Sequence, residues 1–352
     1  MKITELVQRR AGWMEAGSDS GPVISSRVRL ARNLEGRRFP DWADEQEREA
    51  VWREMSELFD EFDDPSFLRF GMEECSPLEK ELLFERHLIS RELASRERSA
   101  GVFVSPDESL AVMINEEDLI RIQSLRPGFR LEEAWRAANE LDDRLESRLP
   151  YAFSPKLGYL TACPSNVGTG MRASVMLHLP GLVLMEEMEP VINGVQRIGL
   201  AVRGLWGEGS EAAGNMYQVS NQITLGRSEE EIIARISGIV EEIVRHENNA
   251  RARLLEERRL MVEDLVSRAF GILSHARLMT SAEALNLLSN LRLGVDLGLV
   301  DRISRRDLDR LFIAVQPAHL QQARRRMLDP EERDAVRAAV LREFIGNAMQ
   351  GT

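Results

Sequence analysis

The stretch YLTACPSNVGTGMRASVM, residues 159–176, most constrains what this chain can fold into. It predicts a short apolar strand, a lone Cys163, a loop broken by Pro and Gly, and then a return to regular structure. Gly168 and Gly170 permit backbone conformations that residues with a Cβ resist. Cys163 and Arg172 would therefore be held close together by a constrained loop, which suggests a site that handles charge.

Other interpretations of this stretch stay open from local sequence alone. A single cysteine at a strand end is often a small buried hydrophobe, and Gly-x-Gly is often only a turn. Gly168, Gly170 and Ala173 also fit a G-x-G-x-x-A pattern that could indicate dinucleotide binding. That signal is weak, because Cys-Pro-Ser-Asn separates the preceding strand from the glycines.

Length and composition narrow the class of protein. A chain of 352 residues can bury a large core, and we expect two domains. A net charge of −12 argues against nonspecific binding to nucleic acid or to an anionic membrane, which requires a basic surface. Cys75 and Cys163 are the two cysteines, which favours a reducing compartment over a disulfide framework. With no apolar signal or membrane span in the sequence, we expect a cytoplasmic protein.

Strand and helix patterns divide the chain near residue 250. The first part, 1–250, mixes strands and helices, whereas the second part, 251–352, has almost only helical signals. We therefore expect an α+β fold with an all-α C-terminal domain. The patterns predict helices at 44–62, 77–93, 131–149, 241–267, 280–291, 304–314 and 330–349, and strands at 26–30, 102–104, 110–114, 181–185, 196–202 and 217–225. Ser228 with Glu231 predicts a capping box at the start of a further helix.

Arginines and acids recur at the predicted strand ends. Arg27 and Arg29 lie one pleat apart on the same face, and two parallel guanidinium groups suit a polyanion such as a nucleoside triphosphate. The alternative is a solvated strand face. The acidic run 115–118 is followed by Arg121 as a candidate partner, or its acids could simply begin a helix. The glycine-rich charged loop 203–211 is a further candidate site.

The last predicted helix has a well-defined start. Asp329 caps it, Pro330 occupies its first turn, and Glu332 takes the N3 position. Arg333 and Arg337 then lie one turn apart on the same face. Two guanidinium groups on one face could clamp a phosphate, although spacing alone favours an ordinary solvated face.

Together these segments resemble the catalytic domain of the phosphagen kinases, the ATP:guanido phosphotransferases. The matching segments, in family order, are SSRVRLARN at 25–33, NEED at 115–118 with Arg121, CPSNVGTGMRASV at 163–175, RGLWGEGSE at 203–211 and SNQITLG at 220–226. The run from Cys163 is highly specific. The resemblance implies an antiparallel sheet flanked by helices.

Within this family the chain resembles the bacterial protein-arginine kinases. It starts shortly before the SSRVR strand, so we expect it to lack the N-terminal helical domain of the creatine and arginine kinases. It adds a helical C-terminal region, and residues 333–338 match the RDxxRA motif of that branch. The resemblance implies a phosphoarginine pocket with a regulatory role at Arg333, Asp334, Ala335, Val336, Arg337 and Ala338. One departure is Leu119, where many relatives carry histidine.

The resemblance also implies the residues that carry the chemistry. Transfer of the γ-phosphoryl group of ATP needs positioning and charge neutralisation, with Mg²⁺ held mainly by the nucleotide phosphates and water. Glu117 and Glu208 would orient the guanidinium and accept its proton, and Cys163 would contact it from another side. The implied nucleotide-binding residues are Ser25, Ser26, Arg27, Val28, Arg29, His87, Arg121, Arg172, Ala173, Ser174, Val175, Met176, Arg203, Gly204, Leu205, Trp206, Gly207 and Glu208.

Three functions remain in competition. The first is a kinase for arginine side chains of proteins, the second a kinase for free arginine or another small guanidine, and the third a phosphoarginine-binding adaptor without catalysis. The resemblance implies a bacterial stress response in which modified proteins pass to a Clp-type protease, with a homodimer and an activator protein. The sequence does not identify the target proteins, the oligomer size or the need for an activator.

Overall fold

An antiparallel sheet of eight strands forms the centre of the molecule, seen in a computed structural model that describes residues 3, 11–14, 21–62, 67–204 and 213–350. The strands are β1 Val23–Arg32, β2 Leu68–Gly71, β3 Gly101–Val104, β4 Leu110–Ile114, β5 Ile120–Pro127, β8 Met171–His178, β9 Leu200–Gly204 and β10 Met216–Asn221, and the separate short hairpin has β6 Phe153–Ser154 and β7 Gly158–Tyr159. Their order in the sheet is β2-β3-β4-β5-β1-β8-β10-β9. The expected α+β fold is confirmed.

Helices cover the sheet and continue beyond it. They are α1 Glu45–Asp60, α2 Pro77–Glu85, α3 Arg91–Ala94, α4 Leu131–Glu146, α5 Pro180–Leu184, α6 Met188–Arg197, α7 Glu229–Glu257, α8 Arg259–His275, α9 Ser281–Asp296, α10 Arg305–Ala314, α11 Pro317–Arg324 and α12 Pro330–Gln350. The core on one face of the sheet includes Val28, Ile122 and Val175 together with apolar side chains of α4 and α7. The opposite face of β1, β5 and β8 carries polar side chains together with Leu125 and Met176, which belong to a second apolar cluster.

The predicted helix starts are confirmed in detail. The Asp44 and Ser228 side chains accept hydrogen bonds from the N3 backbone amides, and the N3 glutamates bond back to the capping residues. Asp329 forms the same reciprocal pair with Glu332, at 2.8 and 3.2 Å. These helices start where local sequence dictates, because the cap and its partner are only three residues apart.

The predicted helix at 77–93 is wrong as a single element. Helix α2 ends at Glu85, and α3 begins at Arg91 after Ser90, whose side chain caps it. His87 lies between them with φ +58°, in the left-handed region that interrupts a right-handed helix. The Gln123 side chain donates to the His87 carbonyl at 2.6 Å, so a strand contact replaces the helical one.

Three strand predictions also need correction. Residues 180–184 form α5 instead of a strand, because the buried Glu247 carboxylate accepts the backbone N–H groups of Gly181 and Leu182, each at 2.9 Å. The predicted strand at 196–202 is the end of α6 followed by the start of β9. In the strand expected from Tyr159 to Ala162, only Tyr159 lies in a strand, as the last residue of β7. For residues 180–184, a partner far along the chain, Glu247, decided the conformation, and no local pattern shows it.

A buried polar junction joins the sheet to the C-terminal helices. His178, the last residue of β8, receives a 2.7 Å hydrogen bond from Arg292 at one ring nitrogen and meets Ser289 at 2.8 Å at the other. Helix α7 runs without interruption through residue 250, and its Arg251 pairs with Asp296 at 2.8 Å. The sequence analysis did not predict α11, although Pro317 occupies its first turn. In the part of the chain that the structure describes, none of the helices is long and apolar enough to cross a membrane.

Candidate active site

Arginine side chains gather on the polar face of the sheet. Alternation along β1 places Arg27 and Arg29 on one face, and the strand register sets Arg29 directly opposite Arg172 on β8. Arg121 comes from β5 and Arg203 from β9. Like charges at directly opposed positions destabilise a sheet, so an anionic ligand would stabilise this surface. We call the surface formed by Arg27, Arg29, Arg121, Arg172 and Arg203 the arginine face.

The electrostatics of the two β1 arginines support this conclusion. Burial, with Arg172 and Arg121 nearby, lowers the pKa of Arg27 to about 10. Burial and the positive charges of Arg27, Arg121 and Arg172 also lower the pKa of Arg29 well below its usual value. The Arg29 Nε is buried and has no hydrogen-bond partner among the described residues. A ligand with several negative charges would relieve both the repulsion and the missing hydrogen bond.

The acidic run 115–118 turns the chain between β4 and β5 and closes on Arg121. That guanidinium contacts Glu116 at 2.5 Å, Glu117 at 2.8 Å and Asp118 at 3.8 Å. Burial lowers the pKa of Arg121, but the three carboxylates outweigh it and raise that pKa overall. Burial raises the pKa of Glu117 despite the attraction of Arg121. A carboxylate with a raised pKa is better suited to accept a proton.

Asp118 serves a different purpose from Glu117, since it is fully buried and holds neighbouring segments together. Its Oδ1 accepts from the Asn33 side chain at 2.8 Å and from the Ala162 amide at 2.7 Å. The acidic turn is thereby fixed against β1 and against the residue that precedes Cys163. Leu119, the departure noted above, is also buried, and its amide donates to Asn33 at 2.9 Å.

Cys163 lies on the loop before β8, as predicted. Its Sγ is 3.0 Å from the Ser165 hydroxyl. Thr224 stabilises the loop, because its hydroxyl donates to the carbonyls of Ser165 at 2.9 Å and Val167 at 2.7 Å. Gly168 has φ +117°, and a Cβ there would lie 2.6 Å from the Thr224 carbonyl oxygen. The loop therefore needs glycine at this close approach.

These groups border one cleft of about 480 Å³. Its lining residues are Arg29, Ala31, Glu92, Glu117, Arg121, Cys163, Ser165, Asn166, Gly170, Met171, Arg172, Arg203, Asn221, Gln222 and Thr224. The structure thus brings together one predicted catalytic glutamate, the cysteine and four of the five predicted arginines. The sequence analysis did not single out Glu92, because nothing in its local pattern relates it to the acidic turn.

Arg27 and His87 border a second, smaller cavity beside the cleft. It is lined by Trp13, Ser25, Arg27, His87, Leu125, Ser174, Met176 and Gln218. Burial, together with Arg27 and Arg29, lowers the pKa of His87 to about 3. The Trp13 ring meets the His87 ring edge-on, with centroids 4.8 Å apart. A neutral imidazole therefore lies next to the positive face of the sheet.

Some predicted nucleotide-binding residues point elsewhere. Val28, Ala173 and Val175 are buried in the apolar core on the other face of the sheet. The Ser26 hydroxyl donates to the Gly128 carbonyl at 2.9 Å. Their role in nucleotide binding stays a prediction from the resemblance. Gly204 ends β9, and the predicted residues Leu205, Trp206, Gly207 and Glu208 lie outside the described residues.

The motif at 333–338 lies on α12, away from the cleft. Arg333 lines a cavity of about 390 Å³ between α2 and the C-terminal helices, whereas Arg337 is buried. Arg337 donates to the carbonyls of Val315 at 2.9 Å and Met279 at 2.8 Å, and to Asp334 at 2.5 Å. Ala335, Val336 and Ala338 complete the motif, and Ala338 belongs to the apolar core of the helical region. The two arginines therefore occupy different environments.

The described residues contain no group of three or more His, Cys, Asp or Glu side chains arranged to hold a metal ion. The charged groups that converge on the cleft are instead guanidinium groups and carboxylates. The guanidinium groups can hold a polyanion. The Glu117 carboxylate lines the same cleft and can act as a base towards a group bound beside that polyanion.

Comparison with known proteins identifies two matching family descriptions. Residues 50–250 match "ATP:guanido phosphotransferase, C-terminal catalytic domain", and residues 259–351 match "Protein-arginine kinase McsB C-terminal domain". A protein-arginine kinase from Geobacillus sp. (strain WCH70) is 48% identical, with 95% of this chain and 93% of that protein covered. The corresponding kinase from Symbiobacterium thermophilum is 47% identical, with 97% and 99% covered.

Solved structures share the fold at lower identity. A lombricine kinase superposes with a TM-score of 0.59 at 24% identity, covering 70% of this chain and 71% of that one. The duplicated taurocyamine kinase from Schistosoma mansoni, with bound transition-state analogue components, gives 0.59 at 23% identity and covers 75% and 42%. These structures support the fold of the catalytic region.

Proposed function

The chain belongs to the ATP:guanido phosphotransferase family, and we propose that it transfers the γ-phosphoryl group of ATP to arginine side chains of proteins. The similarity to protein-arginine kinases extends over nearly the whole chain and includes the helical C-terminal region. The structural observation that carries the proposal is the cleft that joins the arginine face to Glu117 and Cys163.

The arginine face would bind the triphosphate. Arg29 and Arg172 lie opposite each other across β1 and β8, and the buried Arg29 Nε has a hydrogen bond to give. Arg27, Arg121 and Arg203 extend the positive surface along the sheet. Fixed guanidinium groups can neutralise charge on the transferred phosphoryl group without reorganising, which is the main demand of this reaction. Mg²⁺, when bound, would shield the phosphate charges, and the nucleotide's own oxygens would hold it.

The acceptor requires a different set of groups. A guanidinium has a pKa above about 12, so it is cationic and a poor nucleophile until it loses a proton. Glu117, whose pKa is raised by burial, is the proposed base within the described residues. Glu208 would be its partner, and Cys163 would contact the guanidinium from the loop before β8. Residues 1–250 form the proposed catalytic domain, and residues 251–352 the proposed regulatory and dimerisation domain.

The 333–338 motif would bind phosphoarginine at the cavity between α2 and α12. Arg333 borders that cavity. Arg337 would stabilise the lining of that cavity, because it donates to the carbonyls of Val315 and Met279. These two residues lie just before the lining residues Gln316 and Ser281. In this arrangement Arg333 would contact the phosphate, and Arg337 would keep the pocket in shape.

Further partners are proposed from the resemblance. A homodimer through the helical region is supported by α8, where Met261 and Ile272 lie three turns apart on one face and are each 40% exposed. An activator protein and a Clp-type protease that receives modified proteins complete the proposal. Both cysteines are free thiols, which fits a reducing cytoplasm.

The deciding experiment offers γ-labelled ATP with two acceptors in separate tubes. One tube contains free arginine and the other an unfolded arginine-rich protein. We expect acid-labile label on the protein and none on free arginine. Label on free arginine would support the small-guanidine kinase instead. Label on neither would leave two explanations, a missing activator protein or the phosphoarginine-binding adaptor, and ATP binding would be measured next.

A variant of the proposed second glutamate tests the mechanism. Glu208→Gln should bind ATP normally but fail to transfer, since it keeps the shape of the side chain and removes the carboxylate that would orient the acceptor. ATP affinity is measured by calorimetry and transfer by the same labelling assay. Near-normal turnover of this variant would remove Glu208 from the mechanism.

A further inference from the structure

Guanidinium groups outnumber carboxylates among the described residues that line the cleft, four to two. Arg29, Arg121, Arg172 and Arg203 all line it, and the proposed acceptor is itself a cation. Like charges a few ångströms apart repel strongly in a partly buried site. Even after a triphosphate neutralises the arginines, the entering guanidinium needs a carboxylate of its own. Among the described lining residues, the carboxylates are those of Glu92 and Glu117.

These two carboxylates differ in how they are occupied. Glu117 accepts a 2.8 Å hydrogen bond from Arg121, so part of its charge is already compensated. The Glu92 carboxylate makes no ion pair or hydrogen bond with any residue in the described part of the chain, and its side chain is exposed at the cleft wall. We propose that Glu92 binds the cationic arginine side chain of the protein substrate as it enters the cleft.

The segment that carries Glu92 is fastened to the acidic turn. The Ser90 hydroxyl donates to the Glu116 carboxylate at 2.5 Å, and the Arg96 guanidinium donates to the Glu116 carbonyl at 2.5 Å. Glu116 directly precedes Glu117, the proposed base. Glu92 therefore lies between two attachments to the loop that presents Glu117, and it lines the same cleft.

Arg91, the residue before Glu92, anchors α3 to α2. The Arg91 guanidinium lies 3.6 Å from the centre of the Phe84 ring and pairs with Glu81. Arg91 also lines the separate cavity between α2 and α12. With Arg91 directed there, the adjacent side chain of Glu92 is directed into the catalytic cleft. Such an arrangement anchors the backbone of Glu92 and presents its carboxylate at the cleft wall, where it could form a charge-assisted hydrogen bond with a guanidinium group.

The inference deepens the proposed function and rests on it. Glu92 would concentrate and orient the acceptor, while proton removal stays with Glu117 and Glu208. An exposed carboxylate contributes mainly through attraction in water, so its effect belongs in acceptor binding and depends on ionic strength.

The test compares Glu92→Gln with Glu97→Gln in the labelling assay with an unfolded arginine-rich protein. Glu97 is exposed on the same segment and does not line the cleft, so its variant matches the change in net charge. We expect Glu92→Gln to raise the KM for the protein acceptor by about five-fold, the strength of one ion pair near water. Turnover at saturation, ATP affinity and thermal stability should stay at wild-type values.

Two further measurements sharpen the result. Glu92→Asp keeps the charge and should recover most of the acceptor affinity. Added salt should raise the acceptor KM of the wild-type protein more than that of Glu92→Gln, because the screened attraction is already missing in the variant. If the wild-type protein labels the acceptor and Glu92→Gln has the same KM as Glu97→Gln, the role of Glu92 is overturned while the proposed function stands. If the wild-type protein labels free arginine and no protein, the proposed function itself fails.

Discussion

Two arginines of this molecule show opposite environments. Arg337, in the helical region, donates to two backbone carbonyls and to Asp334, all within 2.9 Å. Arg29, on the sheet, has a buried Nε without a hydrogen-bond partner among the described residues and lies opposite Arg172. Arg337 is buried and Arg29 is half-buried with a buried Nε, so burial alone does not identify a binding residue.

The difference lies in the partners. A buried guanidinium that has carbonyl and carboxylate partners contributes to the structure, and removing it leaves those partners unsatisfied. A guanidinium that has other guanidinium groups nearby and a buried Nε without a hydrogen-bond partner carries an electrostatic cost that a polyanionic ligand would offset. The same residue type is therefore predicted to affect stability at one site and ligand binding at the other.

The largest expected effect is that of Arg29→Met. Removing one fixed cation from the arginine face should lower turnover by about two to three orders of magnitude, the scale seen when one preorganised donor is lost. The free energy of unfolding should stay the same or increase, because a buried, repelled charge has been removed. Turnover and urea denaturation are measured on the same preparation. A clear loss of stability with normal turnover would reverse the assignment of Arg29.

The opposite pattern is expected for Arg337→Met. This change leaves the carbonyls of Val315 and Met279 and the Asp334 carboxylate without their donor, so the free energy of unfolding should fall by about 3 kcal/mol. ATP affinity of the folded protein should not change, since Arg337 does not line the cleft. Arg268→Met is the control, because that side chain is 73% exposed in a surface pair with Asp264. Equal stability of both variants would contradict the comparison.

The effect that is smallest at neutral pH, and grows only in acid, is that of His87 on stability. Burial, with Arg27 and Arg29, lowers the pKa of His87 to about 3 in the folded protein, whereas the unfolded chain takes up the proton near pH 6.5. The protein should therefore lose stability as the pH falls from about 6.5 towards 3, by up to about 1.4 kcal/mol per pH unit for this one group.

His87→Asn removes that contribution and retains a residue that tolerates the left-handed backbone. Denaturation at pH 7, 5 and 4 should show a shallower slope in the variant. Part of the slope should persist, because burial and the nearby Arg292 also lower the pKa of His178 well below its usual value. An unchanged slope would mean that His87 is solvated or already charged in the folded protein.

Motifs within a few residues of each other were readable from sequence. The capping boxes at Asp44 and Ser228, the alternation along β1 and the loop from Cys163 to Arg172 all depend on local spacing, and each is found in the structure. The family resemblance rests on the same segments, so the α+β fold and the family could be predicted before any coordinates.

The tertiary structure decided whatever depends on distant partners. Residues 180–184 became a helix because Glu247, far along the chain, caps them, and the helix from Pro77 ends before His87, whose carbonyl is bound by Gln123. Glu92 reached the cleft through the attachment of Ser90 to Glu116. The sequence by itself determined the helix caps, the turns and the face of each strand residue, since these depend on local spacing. Only the packed fold determined which arginines are paired and which face each other, because those contacts join residues that no local pattern relates.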